Sequence, residues 1–196
     1  VPINSLSISL SANYDENRRN QDQFVRNITY NNATRTIVAG VKQKTIRFTG
    51  RLSYNLTPDL TIQYYGQPYL TRPTYQQFAY VVNPLADKYV NRFLKYSSSQ
   101  ISESNGTYLI DENWDGITDY SFGKPDFNFV QFRSNLVIRW EYRPGSELFL
   151  VWSEGNTSDN YDDLQTPVFN SLFNNAFSGG NARNIFLVKW TYRFLR

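Results

Sequence analysis

With 196 residues and no run of eighteen apolar positions, the chain is sized for a single domain or barrel and offers no transmembrane helix. Its 20 basic and 17 acidic residues leave a net charge of +3 spread along the sequence, without the basic patch or tail that marks a nucleic-acid binder. Cysteine and histidine are both absent, which excludes a disulfide framework, a thiolate metal site and a Ser-His-Asp triad, so no enzymatic activity is expected.

Methionine is absent too, position 1 included, and the sequence therefore reads as a processed or truncated piece. Aromatic residues reach 17%, and they favour strands; Tyr and Trp also suit membrane–water interfaces. A mean hydropathy of −0.54 is compatible with a membrane barrel, because only every second barrel residue faces lipid.

In chain order, Ser5 to Tyr14 alternates strictly, with Leu6, Ile8, Leu10, Ala12 and Tyr14 against four serines and Asn13. Such period-two patterning predicts a strand. Asp15 to Gln23 is charged and reads as a loop or water-exposed extension. Phe24 to Tyr30 predicts a weaker strand, closed by the turn signal Asn31-Asn32. Thr36 to Leu56 is strand-like throughout: Ile46, Phe48, Gly50, Leu52, Tyr54 and Leu56 face one way, Arg47, Thr49, Arg51 and Ser53 the other. Thr57-Pro58-Asp59 is a short turn, and Leu60 to Leu70 returns. Residues 71–125 are expected to form a long loop, with room for a short helix within Tyr80 to Phe93 and a Ser-rich loop from Ser97 to Gly106.

The clearest hairpin follows, in DFNFVQFRSNLVIRWEYRPGSELFLVWSE. Val130, Phe132, Leu136, Ile138, Trp140 and Tyr142 alternate with Gln131, Arg133, Asn135, Arg139, Glu141 and Arg143. Successive strand side chains point to opposite faces, so one face is apolar and the other carries arginine. Pro144-Gly145-Ser146 turns the chain, and Leu148, Leu150 and Trp152 resume the apolar face. A second long loop is expected over residues 155–183, before the closing strand with Phe186, Val188, Trp190, Tyr192 and Phe194 alternating against Leu187, Lys189, Thr191 and Arg193.

Short turns thus alternate with long polar loops, and the apolar strand cores run about 9–11 residues, enough for a tilted strand to cross a bilayer. The fold class expected is all-β, an antiparallel transmembrane β-barrel, with residues 1–196 forming one segment of six to eight strands from the C-terminal part of a larger barrel. Alternation alone does not say which face meets lipid. In a soluble β-sandwich or barrel that binds a ligand or glycan, the apolar face would point inward. The aromatic-rich even positions favour the membrane reading. In it Phe48, Leu52, Phe132, Leu136, Ile138, Trp140, Val188 and Trp190 face lipid, and Arg47, Arg51, Arg133, Arg139 and Arg143 face a hydrated lumen.

The segments FNFVQFRSNLVIRWEYRPGSELFLVWSE, RLSYNLTPDLTIQYYGQPYL and FLVKWTYRFLR resemble the C-terminal barrel of a Bacteroidota outer-membrane family of unknown function. The resemblance covers roughly residues 42–70 and 107–196, and its motifs are barrel motifs rather than active-site motifs. Members of that family typically carry an N-terminal module similar to family-nine carbohydrate-binding domains ahead of a large barrel. No such module is expected within these 196 residues, so carbohydrate binding does not carry over. The resemblance implies a Gram-negative outer-membrane location, a structural, surface-binding or porin-like transport role at the cell surface, lipid as the main partner and other membrane or surface subunits as further ones.

One stretch has metal-ligand spacing. Asp111, Asn113, Asp115, Ile117 (through its carbonyl) and Asp119, with Gly116 for a sharp turn, would suit a structural Ca²⁺. It departs from the EF-hand pattern at the twelfth position, where Phe122 stands in place of a bidentate Glu. An ordinary acidic turn at a barrel rim has the same composition.

Overall fold

The computed structural model describes residues 5–160, 164–177 and 182–194. It is all-β, with antiparallel sheets. In chain order the strands are β1 (Ser5–Tyr30), β2 (Ala33–Thr57), β3 (Leu60–Val81), β4 (Phe93–Lys95), β5 (Ile101–Ser104), β6 (Thr107–Ile110), β7 (Tyr120–Gly123), β8 (Asn128–Arg143), β9 (Ser146–Asn160) and β10 (Arg183–Trp190). One helix, α1 (Val168–Ala176), lies between β9 and β10. The principal sheet has the order β1-β2-β3-β8-β9-β10, with β4 on the side of β3, and a second sheet has the order β5-β6-β7. The six strands legible in the sequence are the six of that principal path.

The segment expected as a loop over 71–125 is largely ordered strand. β3 continues to Val81, and β4 to β7 follow. Only a 3-10 turn at Tyr89–Asn91 falls in the window suited to a helix. Asp15 to Gln23 likewise belongs to β1, because a strand polar on both faces shows no alternation to read. Of the loop expected over 155–183, Gly155 to Asn160 extends β9 and α1 occupies the middle.

The chain divides into two compact units. The first comprises residues 1–15, 45–72 and 128–196, the second residues 16–44 and 73–127. In the first, β3 pairs with β8 from Leu60↔Trp140 to Thr71↔Phe129, β8 with β9 from Trp140↔Leu148 to Asn128↔Asn160, and β9 with β10 from Leu148↔Trp190 to Gly155↔Arg183. Pro144-Gly145 makes the β8–β9 turn. Gly145 sits at φ +76°, a conformation that Gly adopts without the penalty a Cβ would bring. α1 covers one end of the even-numbered face, where Leu172 and Ala176 pack with Ile46, Leu70, Val130 and Phe132. The helix has nine residues and no side-chain cap, so it owes its order to this packing and to side-chain anchors. Asn128 Nδ2 donates to Ser171 Oγ and Asn156 Nδ2 to the Ala176 carbonyl, while Arg72 donates to the carbonyls of Leu164 and Thr166.

The second unit has its own core. Ile37, Ala39, Phe78, Tyr96, Ile110, Tyr120 and Phe122 are buried together, with Tyr30, Tyr80 and Tyr108 packed against them. Two tight turns shape it. Asn31-Asn32 and Asn105-Gly106 all have positive φ, the geometry that matches the twist of a two-residue hairpin.

Candidate functional site

The pairing registers of the first unit sort its side chains into rows. On the even-numbered face, Leu60, Trp140, Leu148 and Trp190 make one row; Ile62, Ile138, Leu150 and Val188 the next; Tyr64, Leu136, Trp152 and Phe186 a third. These rows are not covered by α1. Trp140 is 48% exposed, Val188 and Trp190 67% each. Near the short turns the face becomes aromatic: the ring of Trp140 lies against Tyr142, and Tyr192 against both Trp190 and Phe194. Trp190 Nε1 donates to the Tyr142 hydroxyl, and that hydroxyl donates to the Thr191 carbonyl.

Of the eight residues expected to face lipid, Leu52, Leu136, Ile138, Trp140, Val188 and Trp190 lie on the part of this face that α1 leaves bare. Phe48 and Phe132 share the face but lie at its helix-covered end. Phe48 packs with Phe169 and Phe173, and Phe132 is buried beside Phe177. Strand alternation assigns a face and carries no information on what later folds over it.

The odd-numbered face carries the arginines. Its rows are Thr61, Arg139, Phe149 and Lys189; Gln63, Val137, Val151 and Leu187; Tyr65, Asn135, Ser153 and Ile185; Gln67, Arg133, Gly155 and Arg183. The polar groups pair across strands: Asn55 Nδ2 donates to Ser5 Oγ, Thr61 Oγ1 to Asn55 Oδ1, Gln67 Nε2 to Thr49 Oγ1 and Ser153 Oγ to Asn135 Oδ1.

The arginines on it are not equivalent. Arg47 lies over the Tyr69 ring at 5.6 Å and Arg51 over Tyr65 at 5.4 Å, which leaves their charge usable while fixing their planes. Arg139 is neutralised locally by Glu147, with Glu141 at 3.6 Å. Arg143 stands at the exposed turn, 3.5 Å from the Tyr192 hydroxyl. Arg133 and Arg183 have no carboxylate within ion-pair distance among the described residues. Local patterning does not single out Arg183 and Gly155, because they fall in the stretch expected to be a loop; β10 begins at Arg183, three positions ahead of Phe186.

The acidic loop of the second unit closes on itself. Asp111 Oδ1 accepts from the Asp115 N–H at 3.2 Å and Oδ2 from the Gly116 N–H at 2.8 Å, while Asp115 Oδ1 accepts from the Ile117 N–H at 2.8 Å. Asn113 Oδ1 accepts from the Asp115 N–H and Asn113 Nδ2 donates to Asp115 Oδ2. Asp119 accepts the Tyr30 hydroxyl and the Glu112 N–H, both at 2.7 Å. The Tyr30 hydrogen bond, helped by the backbone amides of Glu112 and Asn113, holds the Asp119 carboxyl below its ordinary range. Among the described residues no group of three or more acidic side chains has metal-holding geometry.

Beside it lies a charged cluster. Glu112 takes a forked interaction from Arg35 at 2.9–3.1 Å and accepts the Tyr120 hydroxyl at 2.6 Å. Arg35 also sits over the Tyr30 and Tyr80 rings, and Tyr96 and Tyr120 share a hydroxyl hydrogen bond. Burial pushes the Tyr96 and Tyr120 hydroxyls well up, and raises Tyr108 to about 12. Groups so thoroughly paired stiffen a fold.

Comparison with protein-family models, with curated proteins and with solved structures finds no match to this chain. The two faces of the first unit therefore carry the functional reading.

Proposed function

We propose that the chain is part of an integral outer-membrane β-barrel, with the even-numbered face of the first unit toward lipid and the arginine-bearing face toward water. The observation that supports this most is the bare apolar band: three consecutive rows of large apolar side chains across four hydrogen-bonded strands, bordered by Trp and Tyr at the short-turn end. A band of that kind has a large cost in water and none in hydrocarbon, and interfacial aromatics border it in membrane barrels. Among the described residues the sheet begins at β1 and ends at β10 without pairing between them. Bacterial barrels start at about eight strands, so in this reading the six strands are one arc of a larger barrel, as the resemblance to the C-terminal barrel of the Bacteroidota family implies. The role that follows is structural, surface-binding or transport, and no catalytic one is proposed.

A second reading has its own observation. α1 already packs on one end of the even-numbered face. In a soluble β-sandwich module a further apolar layer would cover the remainder, leaving the polar face to bind a ligand.

Membrane fractionation with heat-modifiable gel migration separates the two. Partition with outer membrane, detergent dependence and a mobility shift on boiling are expected. A monomer that stays in solution without detergent would overturn the membrane reading in favour of the sandwich.

A further inference from the structure

We propose that the odd-numbered face of the first unit holds a binding site for an acidic sugar, centred on Gly155 between Arg133 and Arg183. In the registers of β8, β9 and β10 these three residues are directly opposite one another. Adjacent strands lie about 4.8 Å apart, so the two arginine Cα atoms flank the glycine at roughly twice that spacing, within which their long side chains converge on one anion. Both arginines are exposed, and neither has an acidic partner among the described residues. Arg139, three rows away on the same face, is by contrast paired with Glu147. Glu154 also borders the hollow, but its even position turns it to the other face.

The floor is built for occupancy. A Cβ placed on Gly155 would meet no atom within 4 Å, so the absent side chain leaves open space above the strand. The hollow around it measures about 780 Å³, inside the ~300–1,000 Å³ range of small-molecule sites. Apart from Ile185, its other lining residues carry uncharged hydrogen-bonding side chains, among them Gln131, Asn135, Ser153 and Thr157. Ser153 Oγ donates to Asn135 Oδ1 at 2.9 Å, which orients the Asn135 amide and leaves its nitrogen to donate outward. Tyr65 lies at the edge nearest Arg51. Two guanidiniums select a carboxylate or phosphate, and the amide and hydroxyl groups suit the hydroxyls of the sugar that bears it. The site is accessible to water whether this face lines a lumen or an outer surface, so it stands independently of the membrane reading.

The test is calorimetric titration of the folded protein in nonionic detergent with glucuronate, glucose 6-phosphate and glucose. Binding of either acidic sugar, with glucose far weaker, is the expected result, and the preferred acid names the source of the anion. Arg133→Gln and Arg183→Gln should each weaken binding about ten- to hundredfold, the size of a lost charge-assisted hydrogen bond. A Cβ at position 155 meets no neighbouring atom, so Gly155→Leu should occupy the floor and abolish binding while far-UV circular dichroism stays that of the folded protein. Equal binding of glucose, no binding of either acid, or full binding by the folded Gly155→Leu variant overturns the proposal.

Discussion

Asp119 and Asp126 sit in the same unit and respond to pH with opposite sign. Donation by Tyr30 and by backbone amides lowers the folded pKa of Asp119, so its ionised form stabilises the fold above the ordinary carboxylate pKa of about 3.9. That stability is lost as pH falls through the lowered folded value. Asp126 is raised by burial, despite the Tyr75 N–H it accepts and the nearby Lys124, so its ionised form costs stability at neutral pH and protonation relieves it. Asp119→Asn should therefore flatten the acid limb of stability, and Asp126→Asn, which keeps an acceptor for the Tyr75 N–H, should leave neutral-pH stability equal or higher. Hydrogen exchange of the β6 and β7 amides between pH 3 and 7 checks both. Glu112 is the more sensitive site. With its side chain 14% exposed and that of Arg35 24%, Glu112→Ala strands a partly buried guanidinium and should cost about 2 kcal/mol, less than a fully buried pair.

At the scale of elements, α1 and the β8–β9 turn are the parts most open to test. Leu172 is fully buried between the helix and the sheet, so Leu172→Ala should cost about 2–5 kcal/mol and raise exchange in α1 before the strands respond. Gly145→Ala meets two obstacles: a positive φ and a Cβ 2.5 Å from the Arg193 side chain. The backbone penalty alone is about 1 kcal/mol, and it should appear as faster unfolding of the β8–β9 hairpin.

For the whole molecule, two neighbouring positions report on which face meets lipid. Val188 and Leu187 are adjacent on β10 and point to opposite faces. In the membrane reading Val188→Arg should cost about 2–4 kcal/mol of insertion stability if it lies near the bilayer centre, and Leu187→Arg close to nothing. Folding yield into lipid vesicles measures both. Equal yields for the two variants would count against the lipid-facing assignment.

What the sequence by itself determined is the set of six principal strands, their short turns and the even-numbered apolar face that they share. Those follow from period-two alternation and from Pro and Gly at turns, which are local properties. The Asn105-Gly106 hairpin was not among them: its Ser-rich surroundings read as loop, and the short strands on either side of it were not expected. Tertiary structure alone decided the rest. The polar half of β1 carries no periodicity, and it is ordered by pairing with its neighbour and by ion pairs such as Lys42 with Glu16. α1 settles on Phe48 and Phe132 through Asn128 and Asn156, with Arg72 holding the segment ahead of it, and all three lie more than ten positions from the helix along the chain. Arg133, Gly155 and Arg183 come together only through strand register, which no local pattern encodes.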